Sequence, residues 1–210
     1  MSQFDANKIS TAIKKISRAD PIMKRVIVRA GSCTLKPRKQ YFRTLVGSII
    51  SQQISTSAAR SIQNKLLALL TPSTPSAEKI LNLTARQMKS AGISPQKQKY
   101  LVDLCEKVNS GKLKLRSIAR KDDEEIIAEL TQVKGIGVWT AQMFLMFSLG
   151  RLDVLPHGDL GIRIALRDLY NLDDLPNEAE CHKIATPWRP YATIGSWYCW
   201  RALDFVREKK

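Results

Sequence analysis

Apolar residues recur along the chain at three- and four-residue steps. Phe4, Ile9, Ile13 and Ile16 form one series, Phe42, Leu45 and Ile49 a second, and Ala58, Ile62, Leu66 and Leu69 a third. This is the period of one helix face, and strand-like alternation is nearly absent, so the pattern predicts an all-α fold. Local punctuation agrees. Thr71–Ser76 has loop composition, Gly92 closes a short helix, Ser94 caps the next, and Ser110-Gly111 ends it, giving helices of about ten to fifteen residues.

The stretch 122–170 is the most informative. Asp122–Leu130 predicts a helix with an acidic start, Gln132–Gly137 a tight glycine turn, and Val138–Leu149 an apolar helix. Gly150–Gly158 is then a connector, and a further helix starts at Asp159. Both basic ends, residues 14–43 and Lys209-Lys210, are expected to be solvated, with the termini packed in one lobe.

Composition narrows the partner. A chain of 210 residues, 44% hydrophobic, can bury one or two cores. Lys plus Arg number 34 against 19 Asp plus Glu, a net charge of +15, which favours a polyanion through counterion release. No run of about eighteen apolar residues, signal segment or lipidation motif is present, so the expectation is a soluble, intracellular protein without a membrane role. Cys33, Cys105, Cys181 and Cys199 are too scattered for a zinc or iron–sulfur site. His157 and His182 lie in no ligand-like sequence cluster, so no catalytic metal is expected.

Gly135-Ile136-Gly137 sits between two helices, where the backbone turns sharply and helix-initiating N–H groups can face a phosphate. Around it, Leu130–Ala141 (LTQVKGIGVWTA) and Asp153–Arg163 (DVLPHGDLGIR) resemble the helix-hairpin-helix DNA glycosylase superfamily. Leu45–Ser55, Gly92–Leu101 and Pro187–Trp197 extend the likeness over nearly all of residues 40–202, and within the superfamily it is to the alkylpurine (3-methyladenine DNA glycosylase II) group, in a short form without the amino-terminal sheet domain. The resemblance implies one helix-hairpin-helix glycosylase domain over 1–210, built of two helical lobes with an active-site cleft between them. The lobes are expected at 40–120, bearing a DNA wedge, and at 1–39 plus 121–210, bearing the hairpin and the catalytic residue.

The family's catalytic aspartate falls on Asp159, which also suits a helix N-cap. Capping bonds and the helix dipole favour a negative charge there, and an anion beside the anomeric carbon stabilises the oxocarbenium character that develops as an N-glycosidic bond breaks. An alkylated purine leaves as a neutral base, so one carboxylate suffices. Bifunctional relatives carry a Schiff-base lysine two residues after the second glycine; here that residue is Trp139, which implies base removal without strand cleavage. The four-cysteine cluster of some relatives is missing too.

The resemblance places Trp139 and Trp197 in the base pocket, with Met143 where some relatives have tyrosine. Indole faces attract a cationic base, whereas Trp188, Trp200 and Tyr198 suit core filling. Gln53 is the expected wedge, with Ile54 beside it and Ser55 at the minor groove; Gln52 as a helix terminator and Ser55 as a cap for the next helix are equally open readings. Backbone N–H groups of Gly135, Gly137 and Trp139, with Lys134, are expected on DNA phosphates, and Arg163 and the Lys97/Lys99 pair are further candidates. Carbonyls of Thr131, Val133 and Ile136 could hold a structural Na+ or K+; no cofactor is required.

The expected function is monofunctional base excision repair of double-stranded DNA containing alkylated bases or abasic sites, with release of 3-methyladenine and 7-methylguanine, by a monomer. The alternative is a damage- or abasic-site-binding protein of the same fold with little or no turnover; a helical RNA-associated protein acting through charge alone is a more distant reading. The nucleus is the expected address in a eukaryote, the cytoplasm or nucleoid otherwise.

Overall fold

A computed structural model describes residues 5–70 and 75–207, with side chains to Phe205. Among the described residues the secondary structure is helical, with no strand. Phe4, Thr71–Thr74 of the expected loop, and Lys209-Lys210 lie outside them. No helix among them is long and apolar enough to cross a membrane.

The chain divides into two compact units, Met1–Pro37 with Leu145–Lys210, and Arg38–Phe144. The first contains α1 (Ala6–Ala19), α2 (Pro21–Ala30), and, later in the chain, α10 (Leu160–Tyr170), α11 (Glu178–Ala185) and α12 (Ala192–Arg207). Asp20 ends α1 and starts α2: its Oδ1 accepts the N–H groups of Ile22 and Met23 at 2.9 and 3.0 Å. Its Oδ2 accepts the Trp188 indole N–H at 2.8 Å and the Tyr170 hydroxyl, so a buried carboxylate is fully engaged. Ile16, Met23, Ile162, Leu166, Trp188, Ile194 and Tyr198 belong to one core around it. Trp188 and Tyr198 are therefore core residues, as their sequence context suggests.

The second unit holds α3 (Tyr41–Ser51), α4 (Thr56–Leu70), α5 (Ala77–Leu81), α6 (Ala85–Ser90), α7 (Pro95–Asn109), α8 (Asp123–Thr131) and α9 (Val138–Phe144). Capping chemistry sets many of their starts. Ser94 accepts from Lys97 N–H ahead of α7, and Asp122 and Glu125 form a reciprocal capping box on α8. On α4 the buried face is Ala59, Leu66 and Leu70, not the expected Ala58 and Leu69; Leu69 is 38% exposed. Leu66 belongs to both sets, and at either end of the helix packing selects the residue one position further on.

The hairpin lies in the unit 38–144, not with 145–210 as the sequence reading divides them. The reason is local packing: Ile126, Leu130, Val133 and Ile136 are buried, the Lys134 N–H donates to Asp103 on α7, and the Gly135 carbonyl accepts from Gln52. Directly after α9 the chain forms a π-helical turn, Leu145–Leu149, where it passes into the other unit.

Candidate active site

Asp159 stands at the mouth of α10 (Leu160–Tyr170), half-buried, with N-cap geometry. Its Oδ1 accepts the N–H of Ile162 at 2.9 Å and the indole N–H of Trp200 at 3.0 Å. Trp200 comes from α12 (Ala192–Arg207), and its ring packs at 5.8 Å from that of Phe147. The carboxylate is thus oriented by its own helix and by a side chain of another. Gly161 makes this approach possible, because a Cβ there would lie 3.0 Å from Asp159 Oδ1 and 3.3 Å from Trp200 Cδ1.

The connector before Asp159 is fastened to the start of α12. Buried Thr193 accepts the Val154 N–H at 3.0 Å and donates its hydroxyl to the Arg151 carbonyl at 2.8 Å. Asp153 Oδ1 accepts the Ala192 N–H at 3.0 Å, while Arg189 donates to the Asp153 carbonyl at 2.9 Å. The stretch Pro187–Trp197 therefore acts partly as a clamp for the segment that delivers Asp159.

In the other unit, Gly135 has φ +80, and the Tyr100 ring lies where its Cβ would be, 2.2 Å from Cδ2. Only glycine fits both demands. Gly137 differs: nothing lies within 4 Å of a Cβ built there, so its side is open. Its carbonyl accepts the Ala141 N–H at 3.0 Å, so α9 starts here. Asp103, buried on α7, accepts the Lys134 N–H at 2.9 Å and pairs with Lys107 at 2.7 Å. Burial, the largest influence, opposes ionisation of Asp103, yet the Lys107 hydrogen bond, the Lys134 N–H and both lysine charges together hold its carboxyl below the usual aspartate range.

The family follows from comparison with known proteins. Residues 46–190 match the HhH-GPD superfamily base excision DNA repair proteins. The chain belongs to that superfamily. It is 28% identical over 202 residues to the alkylbase DNA glycosidase-like protein mag2 of Schizosaccharomyces pombe, covering 94% of this chain and 95% of that protein. The crystal structure of a DNA-3-methyladenine glycosidase from Bacillus halodurans superposes with TM-score 0.84 at 32% identity, over 100% of this chain and 94% of that one. The Schizosaccharomyces pombe 3-methyladenine DNA glycosylase Mag1, in complex with abasic DNA, does so with TM-score 0.79 at 31% identity, over 92% and 97%.

In this HhH-GPD chain the sequence-derived residues fall as follows. Trp139, 47% exposed, and half-buried Met143 are one helical turn apart on α9. Trp197 is half-buried on α12, edge-on to Tyr198 at 4.9 Å, with the Arg201 guanidinium 5.9 Å from its ring. Gln53 is exposed and holds a left-handed backbone, φ +56, a strained state for a non-glycine residue at the break between α3 and α4. Ile54 and Ser55 follow it, both exposed. Ser55 Oγ accepts the Ala58 N–H at 3.2 Å, so it caps α4. Gln52 Nε2 donates to the Gly135 carbonyl at 2.6 Å, tying the end of α3 to the hairpin.

Two expected phosphate ligands are otherwise engaged. Lys97 Nζ donates to the carbonyls of Ile50 and Gln52 at 2.7 and 2.8 Å, capping the C-terminus of α3, and burial lowers its pKa. Arg163 Nε donates to the Pro176 carbonyl at 2.9 Å. Lys99 and the Lys134 ammonium remain exposed, the latter 4.0 Å from Asp103.

All four cysteines are buried free thiols, and burial raises the pKa of each, to about 11 for Cys33 and about 12 for Cys105. Sequence reasoning misses Trp200 as the partner of Asp159, and it also misses the meeting of His157 and His182 with Glu178. The only sequence signal for the latter is the one-turn spacing of Glu178 and His182 on α11 (Glu178–Ala185).

Proposed function

We propose that the chain is a monofunctional DNA glycosylase that hydrolyses the N-glycosidic bond of alkylated purines such as 3-methyladenine and 7-methylguanine in duplex DNA. The observation that carries the reading is Asp159: a half-buried carboxylate at a helix N-terminus, oriented through Oδ1 by Ile162 N–H and Trp200 Nε1–H. A negative charge held in place needs no reorganisation as positive charge develops on the sugar. The cationic purine departs as a neutral base, so no protonated second carboxyl is needed. Asp159 also suits orientation of the attacking water.

Trp139, Met143 and Trp197 are assigned to the base, whose positive charge an indole face attracts by about 0.5–2 kcal/mol. Gln53 is assigned to the gap left by the extruded nucleotide. Its exposed, left-handed backbone supports that role, while the capping bond made by Ser55 leaves Ser55 a smaller part at the minor groove. The Lys134 ammonium and the N–H groups of Gly135, Gly137 and Trp139 are assigned to phosphates; the open space beside Gly137 supports close approach. A structural Na+ or K+ at the turn belongs to the same reading, with the carbonyls of Thr131, Val133 and Ile136 as its ligands. Such an ion would supply positive potential near a phosphate.

At the lyase position stands Trp139, which has no amine to attack the sugar. The test is incubation of the protein with a methylated duplex. Free 3-methyladenine and 7-methylguanine are expected, with strand breaks only after heat or alkali. Breaks without that treatment contradict the monofunctional assignment; tight abasic-site binding without base release favours the binding-protein alternative.

A further inference from the structure

We propose that His157, Glu178 and His182 form a site for one divalent transition-metal ion of the zinc type, which fastens the Asp159-bearing connector to α11. Glu178 and His182 lie one turn apart on α11, and His157 reaches them from the connector, two residues before Asp159. His157 Nε2 is 3.4 Å and His182 Nε2 is 3.9 Å from the same Glu178 Oε1, and the three ligand atoms lie within 4.8 Å of one another. Ligand atoms around a tetrahedral zinc at about 2.1 Å are separated by about 3.4 Å, so small side-chain rotations close the set.

The donor chemistry selects the ion. Two imidazoles and one carboxylate suit zinc, copper, nickel or iron better than magnesium or calcium, which prefer all-oxygen shells. The imidazole rings meet at 48° with centroids 5.3 Å apart, so they converge on Glu178 instead of stacking flat. Side-chain exposures of 25% for His157, 67% for Glu178 and 41% for His182 leave an entry path and room for a water as fourth ligand. His157 Nδ1 is buried with no hydrogen-bond partner, so nothing at that nitrogen locks the tautomer that would block Nε2.

Arg189 is the opposing charge. Its Nη2 lies 3.3 Å from His182 Nδ1, but its Nη1 is held by the Asp153 carbonyl at 2.9 Å and carboxylate at 3.1 Å. Ligation through Nε2 places the His182 ring proton on Nδ1 and gives up the long contact to Arg189, which keeps its bonds to Asp153. The buried cysteines do not enter the set.

The test uses the full chain freed of metal with a chelator and titrated with Zn2+ and Co2+. One equivalent is expected, with a rise in Tm of about 5 °C at an excess of Zn2+ near one hundred times Kd. Co2+ should give visible d–d bands without sulfur-to-metal charge transfer. Both signals should vanish in His182→Asn and in Glu178→Gln, and the exposed position of Glu178 leaves the metal-free Tm of the latter close to that of the unsubstituted chain. If His182→Asn fails to fold, Glu178→Gln decides alone. No shift in Tm, a shift that survives substitution, or a sulfur charge-transfer band overturns the site.

Discussion

The indole N–H of Trp200 donates to Oδ1 of Asp159 across 3.0 Å, beside the helix N–H of Ile162, which reaches the same oxygen at 2.9 Å. Two donors from different helices fix the direction of one carboxylate. Trp200→Phe keeps an aromatic ring against Phe147 and removes the donor. Base release in single turnover should fall about tenfold, the cost of a charge-assisted hydrogen bond, with DNA affinity unchanged. An unaltered rate would show that Trp200 only fills space.

Gly161 gives a sharper dissection. Alanine is the better helix former by about 1 kcal/mol, so Gly161→Ala on α10 should barely alter Tm. Its methyl would nonetheless press on Asp159 Oδ1, 3.0 Å away, and on Trp200. Base release should drop about tenfold or more in a protein that melts normally; equal losses of stability and activity would contradict this reading.

The two hairpin glycines should separate stability from binding. Gly135→Ala meets a positive φ and the Tyr100 ring together, so denaturant unfolding should report a loss of at least about 2 kcal/mol. Gly137→Ala meets open space, so it should fold normally and weaken DNA binding several-fold in a titration by anisotropy. Equal effects at the two positions would remove the phosphate role from Gly137.

Asp103 ties the hairpin to α7, and its folded-state pKa is depressed, chiefly by Lys107 and Lys134 overcoming the penalty of burial. The unfolded chain then binds the proton more readily, so this stabilisation is complete above the ordinary aspartate value, 3.8, and is lost as pH falls through the lower folded value. Melting followed against pH should show that acid-side loss in the unsubstituted chain and a flatter profile in Asp103→Asn. Parallel profiles would contradict the assignment.

Much of the fold was legible because it rests on local rules. Helical periodicity marked α1, α3 and α4, and serine, aspartate and glycine marked the starts of α7 and α8 and the end of α7. Asp159 was legible twice, as an N-cap and through the surrounding motif. What failed depended on tertiary partners. A lysine's sequence neighbours do not reveal that its ammonium will cap a distant helix, so Lys97 read as a phosphate contact although it binds the Ile50 and Gln52 carbonyls. Of the four tryptophans, Trp200 looked like core because only the packing of α12 against α10 brings its N–H to Asp159. On α4 the expected Leu66 is buried, but Ala59 and Leu70 replace the expected Ala58 and Leu69 for a related reason: both choices have helical spacing, and the packed unit decides between them.

The central claim is a fixed negative charge at Asp159 acting on the sugar. The direct measurement is single-turnover release of free 3-methyladenine from methylated duplex by the unsubstituted chain and by Asp159→Asn, with DNA affinity measured in parallel. Asparagine keeps the size and the capping oxygen but loses the charge, so release should fall by at least about a hundredfold while the duplex is still bound. Equal release rates for the two proteins would contradict the account.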